Sequence, residues 1–179
     1  MNQAVIFFLI LFINTNINAN EAYFDLSEKE IQIHTDFKGK EIIIFGIFQP
    51  EENTIISITG PKKDTRVLKK EKILGFWFNT KKLIYKKLPS LFFIASSSPI
   101  KEILNYESII KEKLHFDELL INTITQRNFT EQKNLNEWSK NLINIKIEDK
   151  LFKEYKFNNI DDKLFQTRVF FPTNSIPGE

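Results

Sequence analysis

From Ile31 to Ala95 apolar residues recur at every second position in short runs broken by turn formers, the pattern of β-strands with one face on a core. Ile31–Thr35 alternates and predicts a strand, Gly39 marks a turn, and Glu41–Phe48 is apolar enough to predict a strand covered on both faces. After a turn at Gln49–Asn53, Thr54–Thr59 places Ile56 and Ile58 on one side, and Gly60-Pro61 ends the run because proline has no N–H for a ladder. Thr65–Lys72 reads as a charged strand. It leads into Gly75-Phe76-Trp77-Phe78-Asn79, a lysine-rich turn, a short strand at Leu83–Tyr85 and a buried strand at Leu91–Ala95.

The period changes after Ser96-Ser97-Ser98-Pro99. Ser98 suits an N-cap and Pro99 the first helical position, which predicts a helix with Ile100, Ile103 and Leu104 facing the core. A second helix is predicted over Ser108–His115, with Ile109, Ile110 and Leu114 inward. A third starts at Asn128, with Glu131 as its capping-box partner and a stripe of Leu135, Trp138, Leu142 and Ile145. Phe157–Ile160 and Leu164–Phe171 return to strand character. The expected class is mainly β with a helical insertion (α+β): an immunoglobulin-like β-sandwich with two or three helices between early and late strands.

The N-terminus adds a location. Ala4–Ile13 is an unbroken apolar run of signal-peptide length, too short to span a bilayer, and Ala19 is the expected cleavage point, leaving residues 20–179 as a single exported domain. That length buries a core without disulfide or metal staples, and the chain has no cysteine. Its formal net charge of +2 is too small to point to nucleic acid. Ile176-Pro177-Gly178-Glu179 reads as a turn into one more strand, so the sequence is expected to continue past Glu179.

The ordered set Thr35-Asp36-Phe37-x-Gly39, Phe45-Gly46, Gly60-Pro61, Gly75-Phe76-Trp77-Phe78-Asn79, Leu88-Pro89-Ser90-Leu91-Phe92, Ser96-Ser97-Ser98-Pro99-Ile100, Leu164-Phe165, Pro172 and Ile176-Pro177-Gly178 resembles the alphaproteobacterial putative transmembrane protein family. The resemblance spans Ile31 to Glu179. It implies an exported β-rich domain followed by a further strand or two and a C-terminal membrane helix, hence a periplasmic domain on the inner membrane. It implies no activity and no catalytic residues. The chain departs from the family in Phe78, where a smaller aliphatic is usual, and in lysines where arginine is common in the basic strand.

The chemistry-bearing residues are sparse. His34 and His115 lack zinc-ligand spacing, Ser96–Ser98 lacks a nucleophile elbow, Glu51-Glu52 and Asp161-Asp162 read as turns, and no glycine-rich phosphate loop occurs. No catalytic, metal or cofactor residue is therefore assigned. The candidate interaction surface is Lys62, Lys63, Arg66, Lys69 and Lys70, with Trp77, Asn79, Ser97 and Ser98. The lysines could meet anionic lipid or an acidic partner, but are read here as a solvated edge that discourages aggregation. Trp77 is expected in the core and Asn79 at a turn; Ser97 and Ser98 form a helix start able to hold an anion. The function expected is that of an exported, membrane-associated, non-catalytic accessory protein that partners a membrane protein such as an inner-membrane transporter. The alternative is a periplasmic ligand-binding module.

Overall fold

The computed structural model describes residues 23–47, 53–120, 123–128 and 135–178. Among these residues, ten strands form three sheets. Strands β1 (Tyr23–Leu26), β2 (Lys40–Ile47), β10 (Leu164–Phe171) and β9 (Asn158–Asn159) make the first, in the order β1-β2-β10-β9. The second has β6 (Phe92–Ser96) between β3 (Ile55–Thr59) and β8 (Phe152–Lys156). The third has β5 (Phe76–Pro89) between β4 (Lys62–Ile73) and β7 (Ile124–Arg127). Helices α1 (Ile100–Ile103), α2 (Tyr106–Lys111) and α3 (Leu135–Glu148), with a 3₁₀ turn at Phe116–Leu120, occupy the stretch between β6 and β8.

The β-rich α+β class, with helices between early and late strands, is the expected one. An immunoglobulin-like sandwich is not established by these sheets, because β6 and β8 run parallel while that sandwich is built from antiparallel sheets. β10 has the expected bounds and pairs with β2 without a break, from Leu164 opposite Ile47 to Phe171 opposite Lys40. β2 alternates instead of being covered twice: Ile42, Ile44 and Gly46 are buried, while Phe45 and Ile47 are exposed.

The strand expected at Ile31–Thr35 does not form. Ser27 exchanges two hydrogen bonds with Ile43, one through its backbone N–H and one through its hydroxyl, which ends the β1 ladder. Beyond it the chain passes through a turn at His34–Phe37, although Ile31 still packs on the core. β8 and β7 were not legible from the sequence, and the predicted strand at Phe157–Ile160 shrinks to two residues. The expected signal segment lies outside the described residues.

The core gathers where the second and third sheets meet α3. Every residue of β6 is buried, with Phe92 edge-on to Phe116 and Phe152 and Phe93 edge-on to Tyr155 and Phe171. From α3, Trp138, Leu142 and Ile143 join this cluster. Ile145, predicted inward, is exposed, and the aliphatic stem of Lys146 takes a buried position instead.

Asn128 is not the cap of α3. Its side-chain oxygen accepts the Lys82 N–H at 2.6 Å and its amide donates to the Thr80 carbonyl at 3.3 Å, clamping β7 to β5. Its expected capping partner Glu131 lies outside the described residues. α1 starts one residue later than predicted: its N-cap is Pro99 and carries no side-chain cap, while α2 is capped by Asn105 accepting from the Ser108 N–H at 2.8 Å.

Candidate functional site: the β4–β5 hairpin

The lysine-rich turn predicted after Asn79 does not exist. β5 runs unbroken through Thr80-Lys81-Lys82, and the reversal sits earlier, at Leu74-Gly75 between the paired residues Ile73 and Phe76. Leu74 and Gly75 have φ of 50° and 90°, the double left-handed geometry of a type I′ hairpin turn. Glycine takes it freely. Leucine does so at a cost of about 1–2 kcal/mol, with its side chain 95% exposed.

The base of the hairpin is anchored. Leu83, Tyr85 and Leu88 are completely buried, the Tyr85 hydroxyl lies 3.2 Å from Ser139 Oγ on α3, and the Ser90 N–H donates to the Pro61 carbonyl at 2.9 Å. Burial holds the Tyr85 phenol above its ordinary pKa, against the weaker pull of the Ser139 hydrogen bond. Among the described residues β7 ladders only with Leu83–Tyr85 and Asn128 reaches no farther than Thr80, so from Lys70 and Asn79 outward the hairpin is a two-stranded arm. A register shift between Lys69 and Lys70 leaves Thr80 as the extra residue, its hydroxyl donating to the Lys69 carbonyl at 3.4 Å.

The outer arm inverts the usual distribution of residues. Ile73, Leu74, Phe76, Trp77 and Phe78 are all exposed, Phe76 at 71% and Trp77 at 67%. Ladder pairing puts Ile73, Phe76 and Phe78 on one face and Trp77 on the other, opposite Lys72. Trp77 is therefore not a core residue, and Asn79 lies within β5 opposite Lys70 instead of starting a turn. The apolar run Phe76–Phe78 is an exposed tip.

Charge concentrates behind this tip. Residues 62–87 hold ten of the chain's 25 basic residues against two of its 23 acidic ones, which leaves the remainder net negative because the whole sums to +2. Lys62, Lys63, Arg66, Lys69 and Lys70 all lie on β4 and are exposed, as expected. Lys69 reaches Glu71 at 2.9 Å and, as the strongest influence, holds that carboxyl below its ordinary pKa. Between β4 and α3 lies a cleft of about 480 Å³ lined by Val67, Leu68 and Lys70 on one side and Trp138 and Asn141 on the other.

Ser97 and Ser98 are not brought to this arm. They follow β6, and the Ser97 hydroxyl accepts the Thr54 N–H at 3.1 Å and faces Asn53 Oδ1 at 3.4 Å, tying down the segment before β3. The α1 start they precede is a four-residue helix. A separate cavity of about 780 Å³ opens between α1, α2 and the 3₁₀ turn, lined among others by Tyr106, His115, Asp117, Glu118 and Glu154. His115 Nδ1 lies 3.2 Å from Asp117 Oδ2, and Glu118 is 8% exposed with one carboxylate oxygen unpartnered. Sequence reading missed this group because His115, Asp117 and Glu118 form no spaced motif and Glu154 joins them from β8. Among the described residues no group of three or more His, Asp or Glu is placed to hold a metal.

The β4–β5 hairpin thus carries an apolar tip on a basic shaft. The family model described as "Putative transmembrane protein (Alph_Pro_TM)" matches residues 21–179. The chain belongs to this family. The match spans all three sheets and the whole hairpin, so the arm lies within the family's domain. Neither a curated protein nor a solved structure matches the chain. No helix among the described residues is long and apolar enough to cross a membrane, a statement that does not extend to strands.

Proposed function

We propose that this member of the alphaproteobacterial family is a non-enzymatic accessory domain on the exported side of a membrane, and that it works by surface contact with a membrane protein through the β4–β5 arm. The observation that carries the reading is the inversion along β5: Leu83, Tyr85 and Leu88 are buried, while Phe76, Trp77 and Phe78 of the same strand are in solvent. Five large apolar residues exposed side by side at the end of one hairpin mark an interaction site. The apolar run at Ala4–Ile13 supports the exported side and the family description supports the membrane. The test is a photo-crosslinking residue at Glu71 in the full chain expressed in bacteria, with Asp162 as the distant control. Adducts with an integral membrane protein from position 71 and none from 162 are expected. Equal capture from both, or from neither, sinks the proposal.

The cavity supports a second reading as a ligand-binding module. Asp117, Glu118 and Glu154 all line it, a concentration of carboxylates that would favour a small ligand bearing an ammonium group. A panel of small primary amines should then raise the thermal midpoint of the parent and not of Glu118→Gln. No shift with any amine removes this reading.

A further inference from the structure

We infer that the tip of the β4–β5 hairpin enters the interfacial layer of an anionic phospholipid bilayer, with Leu74, Phe76 and Trp77 below the headgroups and Lys70 and Lys72 against the phosphates. This rests on reading the arm as the contact element and names what its tip touches. Three observations point to lipid as the occupant. First, the tip bears apolar side chains on both faces, with Ile73 and Phe76 on one, Trp77 beside Lys72 on the other and Leu74 at the apex. A rigid protein groove covers one face of a ribbon, whereas a fluid interface surrounds it.

Second, the charges sit at the right height. At about 3.4 Å per strand residue, the Lys70–Asn79 pair lies about 10 Å behind the Ile73–Phe76 pair, comparable to the roughly 5–10 Å to which amphipathic elements sink into a membrane interface. Lys72 is opposite Trp77 and can lay its stem along the apolar tip while its ammonium reaches outward. The open backbone edges of a two-stranded arm bar it from the hydrocarbon centre, where unpaired N–H and C=O groups are not tolerated. Trp and Lys are the residues that favour the boundary where the arm must stop.

Third, Leu74 sits in a left-handed position that asparagine occupies at ease. Folding gains nothing from a strained leucine whose side chain is in water. Entry into an apolar interface uses both its exposure and its bulk.

The test reads emission from Trp77 in the full-length chain carrying Trp138→Phe, so that the tip holds the sole tryptophan, on adding vesicles of phosphatidylcholine with or without phosphatidylglycerol. If that background fails to fold, the difference between the parent and Trp77→Phe reports the same signal. A blue shift and quenching by shallow spin-labelled lipid are expected with the anionic vesicles, fading as salt rises. Lys70→Gln and Lys72→Gln should each lower partitioning about five-fold near an anionic surface. Leu74→Asn should weaken tip insertion while raising the thermal midpoint. The readout is local, so attachment of vesicles elsewhere on the chain does not register. A Trp77 that stays in water on anionic vesicles, or Leu74→Asn inserting like the parent, overturns the inference. Such a result alongside selective crosslinking from position 71 would leave the accessory-domain reading standing with a protein at the tip.

Discussion

Leu74 and Gly46 carry opposite demands at single positions. Leu74 is strained in the open, so Leu74→Asn should stabilise the domain by about 1 kcal/mol in a denaturant titration; a loss of stability would mean that the leucine packs on something. Gly46 has no room: a methyl group there would collide with the Tyr23 carbonyl across β1 and come within 2.9 Å of the Phe165 ring. Gly46→Ala should therefore cost about 1–3 kcal/mol as β1 and Phe165 shift. Lys146, 6% exposed, donates to the Ser90 carbonyl at 3.2 Å beside the Phe152 ring, and desolvation, aided by Lys63, holds its pKa below the ordinary lysine value against the opposing pull of Asp149. The unfolded chain then binds the proton more tightly than the native state between the lowered and the ordinary value. Unfolding free energy should rise with pH on approaching the lysine range, and Lys146→Met should flatten that rise in urea titrations at a series of alkaline pH values.

At the scale of elements, the arm and the base of the β4–β5 hairpin are energetically separate. Replacing Lys70–Asn79 by an Asn-Gly turn removes exposed residues and leaves Leu83, Tyr85 and Leu88 in place, so the thermal midpoint should move by only a few degrees. A collapse of the native circular-dichroism spectrum would show that the arm supports the fold. Strand character in Thr65–Lys72 and Phe76–Phe78 was legible because alternation and β-branched or aromatic residues report backbone preference. Alternation does not report what lies opposite a face, and for that reason Trp77 was expected in the core. The α3 stripe was legible at Trp138 and Leu142 and failed at Ile145, because the buried face is set by the neighbour it meets and Lys146 could bury its stem beside Phe152. β8 escaped notice since Phe152–Lys156 is mostly charged; its place beside β6 comes from a parallel pairing far apart in sequence.

For the whole molecule, long-range pairing closes the fold. β10 supplies Phe165, Thr167 and Val169 to the interior and pairs along all of β2, more than a hundred residues away in the chain. A chain ending before Leu164 should lose cooperative thermal unfolding, and a sharp transition in that truncation would refute the role given to this pairing. Charge also changes meaning at this scale, since a formal +2 resolves into a basic hairpin on a net negative remainder. Length, the absence of cysteine, the β-rich class, the bounds of β10 and the family resemblance were determined by the sequence alone, because local propensity, turn chemistry and ordered motifs are carried by neighbouring residues. Which apolar run became core and which became an exposed tip, which lysine went inward, and which acidic and histidine side chains share a cavity were decided only by tertiary structure. Burial depends on what the rest of the chain brings to each face, and adjacent residues do not encode that.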